Sequence, residues 1–192
     1  MKNIIAILML FLAYALLMLM AVPAGTSKQQ TGPKPQDAGK PGVPYWHVWT
    51  DENGVSHQDR CELTNGFKYE SIAQGAAPSW VYRLGAPAKR IVVMNLPAGW
   101  VGEWHENPEP QWIVPLSGRW FVETMDGHRV EMGPGELSFG NDQNTKPDAL
   151  GRKGHRSGTV GDQPCTILMV QVDQKPVNCQ PCQLKYSGTW IL

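Results

Sequence analysis

The sequence predicts an all-β domain, and three observations carry that prediction. The chain holds 20 glycines and 16 prolines in 192 residues. Short apolar or alternating runs are separated every few positions by turn residues, and helical periodicity is nearly absent beyond the N-terminus. That cadence is the one expected of a sandwich or barrel.

The N-terminus is an exception. Lys2 precedes an apolar run from Ile4 to Val22, and the following "AVPAG" offers Val22 and Ala24 as the small residues of a signal-peptidase site before Gly25. Residues 1–24 therefore read as a signal peptide and the chain as exported, periplasmic or secreted. The run is also long enough to span a bilayer, so an uncleaved anchor facing outside the cytoplasm is the alternative. Residues 25–44 hold almost no large apolar side chains. Such a stretch has too little to bury to offset its ordering entropy, and it is expected to be a flexible linker.

The domain proper is placed at 45–192. Tyr45–Thr50 and Ser56–Leu63 flank "DENG" and read as an opening pair of strands. Trp80–Leu84 follows, then Arg90–Leu96 with the continuous "IVVM" of a buried strand. Gly99–His105, Gln111–Ser117, Arg119–Met125 and His128–Met132 come next, with Asp126–Gly127 as the clearest hairpin signal. "GPGE" at 133–136 turns the chain into Leu137–Phe139. After a polar stretch, His155–Val160 and Thr166–Val172 complete about ten strands, for which a jelly-roll β-barrel is the expected closure.

Seventeen basic residues balance seventeen acidic ones, so no global charge draws the chain to nucleic acid, and a membrane is implicated only through the N-terminal segment. No glycine-rich phosphate loop or nucleophile elbow is present. Function has to be sought in local constellations.

One lies in "GWVGEWHENPEPQWIVPLSGRW", residues 99–120. Residues two apart on an extended chain share a face, so His105 and Asn107 can aim together, and a turn can return Gln111 beside them. The spacing of Gly99, His105, Asn107, Gln111 and Gly118 resembles the first signature of the cupin family, without a gap. Gly127, Gly133 and Gly135 approximate the second signature, with glycine where that pattern has proline, and His155 in "RKGHRS" matches its histidine. The resemblance extends over about 90–172, and the chain is similar to a group of small bacterial cupins of generally unassigned activity. It implies a cupin-type jelly-roll barrel, a pairing of copies through their sheets as a homodimer, and a small-molecule ligand.

The same resemblance implies metal ligation by His105, His155, Gln111 and Asn107. The family pattern has a second histidine and a glutamate where this chain has the two amides, which lowers the negative charge available to an ion. An imidazole-dominated set still favours a first-row ion, zinc, iron, nickel or manganese. Lewis-acid or oxygen-activating chemistry of dioxygenase, isomerase or lyase type would follow, with Asp142 and Glu103 as candidate catalytic acid or base. The competing reading is a metal-free binding or interaction module in which these polar residues satisfy one another. His57 and Arg156 are further candidates for the substrate pocket. Cys61, Cys165, Cys179 and Cys182 form an even set in an exported chain, for which disulfides are expected in one of three pairings. "CQPC" either closes on itself or fastens the C-terminal tail to the barrel through Cys61 or Cys165.

Overall fold

Large side chains stand on both faces of the first strand, and such a strand is stable only when covered from both sides. In the computed structural model, which describes residues 39–84, 86–175 and 180–184, that is where it lies. Eleven strands and no helix occur among the described residues: β1 Val43–Thr50, β2 Ser56–Leu63, β3 Lys68–Glu70, β4 Ser79–Val81, β5 Ala88–Leu96, β6 Gln111–Ser117, β7 Trp120–Thr124, β8 Arg129–Met132, β9 Leu137–Gly140, β10 His155–Thr159 and β11 Cys165–Val172. The protein is all-β. A mixed six-stranded sheet has the order β2-β1-β9-β6-β11-β5, a second sheet the order β10-β7-β8, and β3 pairs with β4 alone. Among the described residues only β1 and β9 pair in parallel.

Two apolar clusters occupy the two faces of the large sheet. On the inner face Val48, Leu96, Ile113 and Ile167 pack against Trp120, Val122, Val130 and Met132 of the smaller sheet. On the outer face Tyr45, Trp112 and Phe139 gather with Cys61, Leu63 and Phe67. Strand alternation makes the division, because Trp112 and Ile113 are neighbours pointing to opposite sides. The two sheets are also joined by polar bonds: Gln58 Nε2 donates to the carbonyls of Val122 and His128 at 3.0 and 2.8 Å, and Ser56 Oγ donates to the Gly154 carbonyl at 2.5 Å.

The sequence-based boundaries need several corrections. β1 begins at Val43, inside the span assigned to the linker, because Val43 and Pro44 pair with Leu63 and Glu62. Trp80–Leu84 shortens to β4, and β3 has no counterpart in the expectation; its three residues become a strand only by pairing with β4. Gly99–His105 is not a continuous strand. It touches β10 through isolated bridges, Val101 to Gly158 and His105 to His155. At Asp126–Gly127 only Gly127 has positive φ, 83°. Its N–H donates to the Thr124 carbonyl and the Thr124 N–H to that of His128, a three-residue hairpin with the glycine in the left-handed position.

Cys61 and Cys182 form a disulfide, fastening the tail to β2. "CQPC" therefore does not close on itself. Cys165 is unpaired and buried in the inner core, where its position in β11 opposite Leu96 makes it an apolar packing residue. Cys179, residues 1–24 and most of the expected linker lie outside the described residues. No helix among the described residues is long and apolar enough to cross a membrane.

Candidate functional site

His155 opens β10, and its partners across the strand pair, Thr124 and then Val122 opposite Ser157, place its side chain on the inner face. His105 reaches it from the loop before β6. The two backbones exchange both hydrogen bonds, His105 N–H to the His155 carbonyl at 2.9 Å and the reverse at 2.8 Å. Antiparallel partners bonded in this way carry their side chains on one face, and the imidazole rings stand 4.7 Å apart between centroids. His105 is exposed and His155 is buried, 4% accessible. Gly154 makes the approach possible: its φ is +73°, and a Cβ there would overlap the His105 carbonyl.

Asp142, fully buried, is the hub. One carboxylate oxygen accepts from the Asn107 backbone N–H at 3.0 Å and from Asn107 Nδ2 at 2.6 Å. The other accepts from His155 Nδ1 at 2.7 Å. Burial alone pushes this carboxyl up, but the charge and hydrogen bond of His155 and the two bonds from Asn107 outweigh it and hold the group below the usual carboxylate range.

An ionised carboxylate only accepts, and that fixes the direction of everything attached to it. Asn107 must present its NH2 to Asp142, so its Oδ1 faces Gln111 and accepts from Gln111 Nε2 at 2.5 Å. Gln111 then has only Oε1 to offer, and it accepts from Gln171 Nε2 at 3.2 Å. Three buried amides thus donate in series toward one carboxylate, an arrangement in which each bond polarises the next. Gly140 leaves the necessary room, since a Cβ on it would collide with the Asn107 amide.

The histidines share a tautomer for the same kind of reason. His155 Nδ1 faces a carboxylate and His105 Nδ1 faces the Glu103 carbonyl at 2.8 Å, so in each neutral ring the proton is on Nδ1 and the lone pair on Nε2. Neither Nε2 makes a hydrogen bond among the described residues. The donor set for a metal ion is therefore these two nitrogens. No group of three His, Cys, Asp or Glu side chains that could hold an ion occurs among the described residues, and the oxygens of Asn107 and Gln111 are already hydrogen-bond acceptors. Such a set fits an ion only if solvent or a ligand fills its other positions.

The structure thus brings together His105, Asn107, Gln111, Asp142 and His155. Asp142 does not face solvent as a free acid or base, and its geometry is that of a positioning group for His155. Glu103 is exposed and enters the site only through its carbonyl. Arg156 lies on the opposite side of β10 from its neighbour His155, bonds Glu123 at 2.6 Å and has its guanidinium over Trp104. His57 bonds Asp126 at 2.8 Å and faces Asp51 at 3.3 Å. Neither meets the histidine pair. Lys153 and Arg152 are likewise held by Glu106 and Asp148.

Gln171 and Asn141 were missed by sequence reasoning. A lone glutamine inside the apolar run of β11 is the signal that marks the first. Asn141 follows β9 and accepts from His47 Nε2 at 2.8 Å, while His47 Nδ1 accepts from the Cys182 backbone N–H at 3.0 Å. His47 is wholly buried, and that burial lowers its pKa to about 4, against the opposing effects of Asn141 and Asp59. A single histidine in an aromatic strand gave no hint of this. Compared with family models and with curated proteins, the chain matches none of either.

Proposed function

We propose that this protein is an exported, cupin-type jelly-roll protein that binds a small molecule at His105 and His155. Two sheets facing each other across the Trp120/Val122/Ile113 core support the fold reading, and the Cys61–Cys182 bridge is compatible with an oxidising compartment. The observation that carries the site is the buried Asp142–His155 pair beside a second imidazole in the same tautomer. His155 Nε2 accepts a hydrogen bond or a proton from a bound hydroxyl or amine, and Asp142 stabilises the imidazolium that forms. The amide row from Gln171 holds Asp142 in place, so the centre is preorganised without a metal.

A second reading rests on the shared tautomer itself. Imidazoles that ligate metals characteristically donate their other N–H to a carboxylate or carbonyl, as both rings do here. In that reading His105 and His155 would hold a divalent transition-metal ion through their Nε2 atoms, and the ion would supply Lewis-acid polarisation of the bound small molecule.

Metal analysis of protein purified without nickel affinity, combined with side-chain NMR of the histidines, tests both. The probes are Zn2+ and a panel of small carboxylates, sugars and phenols. The proposal expects at least one probe to shift both rings, with the response lost in His105→Ala and in His155→Ala. One equivalent of bound metal, lost in both variants, selects the second reading. If no probe moves either ring in the folded wild-type protein, the site assignment is wrong.

A further inference from the structure

The Cys61–Cys182 bridge belongs to the outer side of the large sheet and His155 to the inner side, yet one row of bonds joins them. The Cys182 backbone N–H donates to His47 Nδ1 at 3.0 Å, and His47 Nε2 donates to Asn141 Oδ1 at 2.8 Å. Asn141 is followed in the chain by Asp142, which receives His155 Nδ1 at 2.7 Å. Two consecutive residues just after β9 thus grip different things: Asn141 holds the anchor of the tail, Asp142 the site histidine. The Asn141 N–H donates to the Val48 carbonyl at 2.8 Å and ties the backbone at this point to β1.

The outer end of the row is chemically switchable. Cys182 is exposed and Cys61 buried, and exposed disulfides are the labile ones in exchange with thiols. A dithiol attacks Cys182 Sγ, its sulfur bonding there as the Cys61 thiolate leaves. Its second thiol then displaces Cys182. The reductant departs as a disulfide, and the two cysteines end as thiols, having gained two electrons and two protons. Released from β2, Cys182 is no longer held against His47. The buried Nδ1 then lacks its donor, a costly state for a polar atom out of water. Turning the ring relieves it and gives up the bond to Asn141. Asp142 keeps Asn107 and His155 as partners but loses the support of its neighbour, so the site loosens without coming apart.

We propose that the Cys61–Cys182 disulfide is a redox latch on the histidine site, opened by a dithiol and transmitted through His47 and Asn141 as positioning residues. The latch rests on reading the histidine pair as the binding centre. No ligand enters its test, so failure of the coupling and failure of the binding reading are separate results.

The full chain is compared oxidised, treated with dithiothreitol, and reoxidised, with circular dichroism recording its fold. Reduction speeds amide exchange at Asn107, whose N–H is held by Asp142, by about tenfold, the worth of one hydrogen bond. It also shifts the nitrogen-15 signal of His155 Nδ1. Both effects reverse on reoxidation, and the amides of the β7–β8 hairpin do not respond. Cys61→Ser combined with Cys182→Ser gives the reduced signals with or without dithiothreitol. His47→Leu gives them with the bridge intact, whereas His47→Gln, which keeps an acceptor and a donor, retains the oxidised signals and the response to reduction. Unchanged Asn107 exchange on reduction, an equal change throughout the domain, unfolding on reduction, a full response in His47→Leu, or its loss in His47→Gln would each overturn the proposal.

Discussion

Mild acid should weaken this fold through one residue, His47. The ring is buried, and both nitrogens are committed in the neutral form: Nδ1 accepts from the Cys182 N–H and Nε2 donates to Asn141. Protonation would put a donor on Nδ1 facing another donor. Its pKa falls from 6.5 to about 4, chiefly through burial. In the unfolded chain the imidazole takes up its proton as pH falls through 6.5, while the native state resists until about 4, so stability is lost across that window. The gap of about 2.5 pH units is worth ~3 kcal/mol when complete, of which about 2 kcal/mol falls between pH 7 and pH 5. Urea unfolding of the oxidised protein at both pH values measures the loss. His47→Gln keeps an acceptor and a donor but cannot titrate, and subtracting its pH dependence removes the contribution of every other group. A difference below about 0.5 kcal/mol between wild type and variant would refute the reasoning and imply that the native ring is protonated without penalty.

Three further outcomes follow from the same coordinates. Asp142→Asn loses a charge-assisted bond and turns its NH2 toward His155, so the ring moves its proton to Nε2; nitrogen-15 NMR should report the switched tautomer, with a destabilisation of about 2–4 kcal/mol. An unchanged tautomer would break the link between carboxylate and site. Gly154→Ala forces a side chain into the left-handed region against the His105 carbonyl, costing about 2 kcal/mol or more in denaturant unfolding. It should also separate the two rings, seen as loss of the cross-peak between them. Removing the bridge with Cys61→Ala and Cys182→Ala opens a sequence separation of 121 residues, and the loop-entropy model gives about 3–5 kcal/mol of lost stability, read from the shift in urea midpoint.

Much of the fold was legible because strand periodicity and turn chemistry are local. β2 and β6 appear at the residues expected from alternation and flanking turns, and "GPGE" turns with Gly135 at φ 83° and the Glu136 N–H bonded to the Gly133 carbonyl. Partner-dependent elements were less legible. Gly99–His105 has the pattern of a strand, yet it bends away after each contact and makes only bridges to β10. β3 is too short to announce itself and exists through β4. His105, Asn107, Gln111 and His155 were named as a set through their resemblance to the cupin signatures. What they do to one another was not, because the direction of an amide is decided by the neighbour it meets.

By itself, the sequence determined which segments extend, where the chain turns, and that four cysteines and two distant histidines were available. Those are consequences of side-chain branching, glycine freedom and residue order, which need no third dimension. Tertiary structure alone decided that Cys61 takes Cys182 and that Asp142 lies beneath His155. It also made Gln171, 60 residues from Gln111, the start of a hydrogen-bonded row ending at that carboxylate. A buried polar atom must find its partner in space, and that partner's place along the chain carries no record of the choice.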